Sequence, residues 1–146
     1  MTRIHILTLI PLPAATRAAL SSIYTVHDGT ASVPWDDISA VVTNGTTGLS
    51  ATQMKQLTAL RIICSFGAGY EAIDLDAAAQ RGVVVTNAPG VNDETVADHA
   101  LGFMLALSRG YATLTTAVRT GGWHSARSAR PTLNGATLGV IGMGRI

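Results

Sequence analysis

At 146 residues the chain holds one domain of ordinary size plus a remnant. Hydrophobic residues make up 47% and charged residues only 13%, so much of the chain must be buried in a core or against a partner. A net charge of +1, without basic runs, excludes the field that nucleic acid or an anionic membrane surface requires. Cys64 is the only cysteine, which excludes an internal disulfide and a zinc cluster.

Met1 to Ile10 sets a basic residue before an apolar run and could mimic a signal peptide. The run is short and holds His5 and Thr8, so the reading is a first buried strand, Ile4 to Ile10. No segment approaches the ~18 apolar residues of a membrane span, and a soluble cytoplasmic protein is expected. Pro13 opens a helix through Ala14 to Ser22, as proline suits a first turn. Ile23 to Val26 reads as a second strand and Ile38 to Thr43 as a third. Ser50-Ala-Thr-Gln53 is a capping box that opens a short helix to Leu57. Arg61 to Ser65 is a fourth strand, with Cys64 a buried, inert thiol. Asp74 caps a helix from Leu75 to Gln80, which Gly82 ends. Val83 to Thr86 is a fifth strand, continuous and β-branched as buried parallel strands are.

A longer helix follows. Asn92 or Asp93 caps it and Glu94 favours its dipole. From Val96 to Leu107 it is apolar almost all round, which predicts burial on several sides, against a second domain or subunit. The helical pattern resumes from Tyr111 to Arg119 and stops at Gly121-Gly122. Trp123 to Gly135 is polar and irregular and reads as an arm. A further strand is expected from Ala136. Five strands alternating with helices predict a doubly wound α/β sheet.

Three loops at strand ends carry candidate chemistry. Ligands of open α/β sheets bind at the carboxyl ends of strands. In Ser65-Phe-Gly-Ala-Gly-Tyr70, Gly67 and Gly69 let successive N–H groups converge on a carboxylate or phosphate oxygen. A plain tight turn is an equal reading at this point. Thr43-Asn-Gly-Thr-Thr-Gly48 has the hydroxyls of a phosphate loop, but an ordinary turn leading to the Ser50 cap is preferred. Asn87 to Thr95 runs into a helix N-terminus, where Asn92 and Thr95 could face an anion or Asn92 could simply be the cap. The final residues, Ala136 to Ile146, read as a strand entering Gly142-x-Gly144, the first two glycines of a dinucleotide fingerprint. The third glycine, the helix and the acid of that fingerprint would follow.

The stretch LRIICSFGAGYEAIDLDAAAQRGVVVTNAPGVNDETVADHALGFMLALSR, Leu60 to Arg109, resembles the NAD(P)-dependent D-2-hydroxyacid dehydrogenases. That family includes glyoxylate/hydroxypyruvate reductases, phosphoglycerate dehydrogenase and formate dehydrogenase. LNGATLGVIGMGRI, Leu133 to Ile146, resembles the start of the family's nucleotide domain. The resemblance implies a flavodoxin-like substrate domain over 1–100, an interdomain helix and arm over 101–135, and the first strand of a Rossmann domain over 136–146. It implies that Gly67, Ala68 and Gly69 hold the carboxylate of a small 2-oxo or 2-hydroxy acid, with Asn92 on the substrate side. Cofactor contacts to NAD or NADP fall on Thr95, Val96, Gly142, Gly144, Arg145 and Ile146. Glu71-Ala72 departs from the commoner Asp-Asn, and Asp98 from the commoner Glu. The family's catalytic arginine, acid and histidine have no counterpart among these residues, and no metal is implied.

Other constellations are weaker. Asp98 and His99 are adjacent on a helix, where neighbours face different sides, so a junction pair is preferred to a catalytic dyad. His124, Arg127 and Arg130 lie in the arm as solvated charge, and His5 and His27 read as structural. The leading expectation is the front part of an oxidoreductase acting on glyoxylate or hydroxypyruvate, inactive by itself and homodimeric. The alternative is a non-catalytic module that binds a small carboxylate or dimerises. A flavodoxin-type electron carrier would need glycine and hydroxyls after the first strand, where Pro11-Leu-Pro13 stands. A receiver-type signalling domain would need acids there.

Overall fold

Short β-branched runs become strands, and the intervening polar and alanine-rich segments become helices. A computed structural model describes residues 3–29 and 33–146. In chain order the elements are β1 His5–Thr8, α1 Ala14–Ile23, β2 Thr25–Asp28, a 3-10 turn Trp35–Asp37, β3 Ile38–Thr43, α2 Ala51–Lys55, β4 Ile62–Ser65, α3 Leu75–Gln80 and β5 Val84–Thr86. There follow α4 Asp93–Arg109, α5 Tyr111–Arg119 and α6 Trp123–Ala126. The chain divides into two units, Met1–Val91 and Asn92–Ile146.

The first unit is built on a five-stranded parallel sheet of order β2-β1-β3-β4-β5. This is the flavodoxin-like doubly wound order. β3 lies between β1 and β4, so its apolar run is covered on both faces, and Ile38 and Val41 are fully buried. Leu7, Leu49, Met54, Leu57, Ile63 and Ile73 complete the centre of the core. Each such side chain contributes about 1.5–3 kcal/mol by leaving water. α2 enters this core through Met54 and α3 through Ala78.

Local signals fix the helix ends. The Ser50 side chain accepts from the Gln53 N–H, and Gln53 Oε1 accepts from the Ser50 N–H at 2.9 Å, which completes the capping box. Asp74 Oδ1 accepts from the Ala77 N–H at 2.9 Å. Arg81, at the end of α3, donates to the carbonyls of Met54 and Leu57 and ties the two helices together. His5 and His27, on neighbouring strands, stack at 5.1 Å and share a hydrogen bond of 3.0 Å between Nδ1 and Nε2.

Two expectations for this sheet need correction. β5 is not a buried strand: it pairs only with β4, and this edge position leaves Val84 57% exposed. Cys64 is half-buried rather than buried, because it alternates along β4 with buried Ile63 and Ser65 and faces the less covered side.

The second unit is helical. α4 and α5 meet at Gly110, which adopts a left-handed conformation that ends one helix and starts the next. The apolar helix forms as expected but is not buried: Leu101, Phe103 and Leu107 are exposed, and α4 has no buried residue. A helix covers an apolar face only against another apolar face, and α5 and α6 of the same unit leave these side chains exposed. The strand expected from Ala136 is absent, and residues 136–146 are exposed and irregular. A single strand leaves its ladder groups unpaired, and the second unit contains no partner strand among the described residues. No helix among the described residues is long and apolar enough to cross a membrane.

Candidate functional site

The loops after β3, β4 and β5 lie side by side because those strands are consecutive in the sheet. The β4 loop is held by its carbonyls. Ser65, buried at the strand end, donates from Oγ to the Gly69 carbonyl at 2.5 Å. The Gly67 carbonyl accepts from the Ala88 N–H at 2.9 Å, and the Ala68 carbonyl accepts from Asn87 Nδ2 at 2.7 Å. The Tyr70 carbonyl accepts from the Ile73 N–H at 3.0 Å. Four consecutive acceptors are therefore satisfied. No acceptor among the described residues takes the N–H of Gly67, Ala68 or Gly69. Gly67, at φ 133, sits where a side chain would strain the backbone, and this permits the unusual run of free donors.

A half-buried backbone donor without a partner is uncommon in folded proteins. Successive free backbone N–H groups are the kind of donor that an anion-binding concavity uses. A hollow of ≈ 220 Å³ lined by Tyr70, Leu75, Val85, Thr86 and Asn87 adjoins the loop. A larger one of ≈ 410 Å³ lies at the ends of β1 and β2. There Arg17 and Asp28 pair with each other, which leaves no net charge to select a ligand.

The β3 loop is an ordinary turn. Asn44 Oδ1 accepts from the N–H groups of Thr46 and Thr47 at 3.0 and 2.7 Å, so those donors are spent internally. Thr43 Oγ1 donates to the Gly48 carbonyl at 2.8 Å in the buried interior. The β3 and β4 loops touch backbone to backbone: a Cβ on Gly45 would lie 2.7 Å from the carbonyl carbon of Gly69.

In the second unit, Asn92 is the N-cap of α4, but its side chain makes no capping bond, so its amide is uncommitted. Thr95 and Val96 are exposed on the first turns of that helix. Gly142 and Gly144 are exposed, and no heavy atom lies within 4 Å of where their Cβ atoms would stand. Arg145 is held by Asp93 at 2.8 Å, and Ile146 is exposed. His99 packs edge-on against Phe103 at 4.2 Å, and no hydrogen bond joins it to Asp98 among the described residues. No group of three or more histidine, cysteine or acidic side chains among the described residues could hold a metal.

The sequence singles out Gly67–Gly69 as a candidate but does not mark Ser65 and Asn87 as the groups that hold this loop. A hydroxyl as the last residue of an apolar strand, and an amide just past the end of the next strand, are the signals that could have found them.

A family model described as the D-isomer specific 2-hydroxyacid dehydrogenase catalytic domain matches residues 16–139. A D-3-phosphoglycerate dehydrogenase of Archaeoglobus fulgidus is 39% identical over 107 residues, which cover 73% of this chain and 20% of that protein. A glyoxylate/hydroxypyruvate reductase of Arabidopsis thaliana is 39% identical over 112 residues, covering 76% of this chain and 36% of the relative. Among solved structures, an NADPH-dependent glyoxylate/hydroxypyruvate reductase from Sinorhizobium meliloti, in complex with NADP and malonate, superposes with a TM-score of 0.84 at 29% identity. That superposition covers 99% of this chain and 47% of the other. The chain thus spans less than half of the length of the relatives it matches.

Proposed function

The chain belongs to the D-isomer-specific 2-hydroxyacid dehydrogenases, and from that premise we propose that it supplies the substrate-binding part of an oxidoreductase for small 2-oxo and 2-hydroxy acids such as glyoxylate or hydroxypyruvate. The observation that carries this reading is the run of free N–H groups at Gly67, Ala68 and Gly69, which suits a carboxylate. Asn92, which the family resemblance puts on the substrate side, keeps its amide uncommitted.

The proposed cofactor is NAD or NADP. Gly142 and Gly144 offer backbone with no side chain in the way, which fits close approach to a pyrophosphate, and Thr95, Val96, Arg145 and Ile146 complete the contacts. When bound, the nicotinamide supplies the hydride for the oxo carbon. The chain's own part is to bind and orient the acid, and no residue of the 146 is assigned proton transfer. On this reading residues 1–100 form the substrate domain, 101–135 the connecting helix and arm, and 136–146 the start of the nucleotide domain. A cytoplasmic setting is part of the proposal, in keeping with a free cysteine and no disulfide among the described residues.

The test is titration of the ¹⁵N-labelled chain with glyoxylate, read at the amides of residues 67–69. Saturable shifts are expected, with a dissociation constant on the order of millimolar. Unmoved amides at tens of millimolar would rule the loop out as the carboxylate site. A second reading, a dimerising module, is favoured by the exposed apolar side chains of α4, of which Leu107 is 82% exposed. The homodimer proposed here would use that face.

A further inference from the structure

We propose that the Glu71 carboxylate is a charge filter on the Gly67–Gly69 loop, lowering its affinity for doubly charged acids more than for singly charged ones. This deepens the reading above and rests on it. The placement comes from two glycines. A Cβ on Gly45 or on Gly69 would lie 2.6 Å from Glu71 Oε2, so the carboxylate occupies the space that both residues leave by lacking a side chain. Gly45 belongs to the β3 loop and Gly69 to the β4 loop, and the acid therefore sits where the two loops meet.

Its charge is not neutralised. The ion pairs among the described residues are Arg17 with Asp28 and Arg145 with Asp93, and no hydrogen-bond donor meets Glu71. A fixed negative charge thus borders three backbone donors that favour negative charge. The donors act on one oxygen group at contact distance. The carboxylate acts through space on the whole ligand, so its repulsion grows with the ligand's total charge. A compact dianion meets about twice the repulsion of a monoanion but gains little more from the same donors. The loop is then suited to acids carrying a single carboxylate and no second charge close to it.

Glu71→Gln keeps the shape and removes the charge. Exposure weakens the coupling, so glyoxylate is expected to bind about threefold more tightly to the variant and malonate about tenfold. The malonate gain should shrink as salt is raised. The amides of residues 67–69 report both titrations, and the remainder of the amide spectrum reports the fold. Glu71→Ala, which also opens the space, should show the same order of gains. Equal changes for both acids, or none, would overturn the filter while leaving the carboxylate site standing. Loss of binding to both acids in the variants would make Glu71 a spacer that shapes the loop and would likewise overturn it. If neither acid moves these amides even in the unsubstituted chain, the site itself is wrong and the filter falls with it.

Discussion

Gly48→Ala tests how tightly the β3 loop is locked to the segment after the glycine-rich loop. Gly48 has φ +64, and a Cβ there would overlap the carbonyl oxygen and carbon of Ala72. The left-handed conformation alone costs an alanine about 1–2 kcal/mol. A stiffer unfolded chain returns about 0.4–1 kcal/mol. The overlap is the larger effect, because a carbonyl of the backbone cannot swing aside like a flexible side chain. Moving Gly48 and Ala72 apart breaks the Leu49 N–H to Ala72 carbonyl bond of 3.2 Å and strains the buried Thr43 to Gly48 bond of 2.8 Å. Each lost bond is worth about 1 kcal/mol, and more where a buried group is left unpaired. The sum is a destabilisation of about 3–5 kcal/mol, a large share of a small domain's ~5–15 kcal/mol.

Gly82→Ala is the matched control. It has nearly the same φ, +65, yet no atom within 4 Å of its Cβ position, so about 1 kcal/mol is expected. Urea unfolding of the two variants, followed by far-ultraviolet circular dichroism, measures the difference directly. Midpoints that place the variants within about 1 kcal/mol of each other would refute the claim that the Ala72 carbonyl is rigidly opposed to Gly48.

Ser65→Ala should lower stability by about 1–2 kcal/mol, since the Gly69 carbonyl loses its donor, and should weaken the glyoxylate response of the 67–69 amides. An unchanged titration would show that this loop holds its shape without Ser65. Phe103→Glu should abolish self-association through α4 as read by sedimentation velocity, whereas an unchanged sedimentation coefficient would place the interface elsewhere. The 146-residue chain should give no oxidation of NADH or NADPH with glyoxylate above the enzyme-free rate. Sustained turnover would overturn the view that its residues bind without catalysing.

The elements read most accurately from sequence are those whose signals are local. β3 matches its expected limits from Ile38 to Thr43 because a β-branched run is bounded by acids on one side and a glycine turn on the other. α3 matches because Asp74 at its start and Gly82 after its end are side-chain and backbone caps within one turn of the helix. β5 was misjudged on burial because composition cannot tell a central strand from an edge; that depends on which strands pair, and only β4 does. The irregular 136–146 segment shows the same limit, since its apolar, β-branched residues describe what a strand would be made of but not whether a partner exists. At the candidate site, the glycine spacing leaves Gly67–Gly69 equally open to a tight turn, and the family resemblance makes it a carboxylate candidate. The allocation of donors there was not legible, because it depends on Asn87, Ala88 and Ser65 converging from three positions in the chain.

The order β2-β1-β3-β4-β5 also bears on how fast the first unit can assemble. β1 pairs with strands that begin only at Thr25 and Ile38, and every neighbouring pair is parallel, so no hairpin can seed the sheet. Each pairing must first close a loop that contains a whole crossover. Such topologies fold on the slow side of the single-domain range, in milliseconds or longer rather than microseconds. β1 leaves its Ile6 and Leu7 unprotected until β3, which follows it by some thirty residues, pairs with it. The segment from β1 to β3 is therefore the stretch most open to chaperones and proteases while the sheet assembles, before the turns after β3 and β4 have closed.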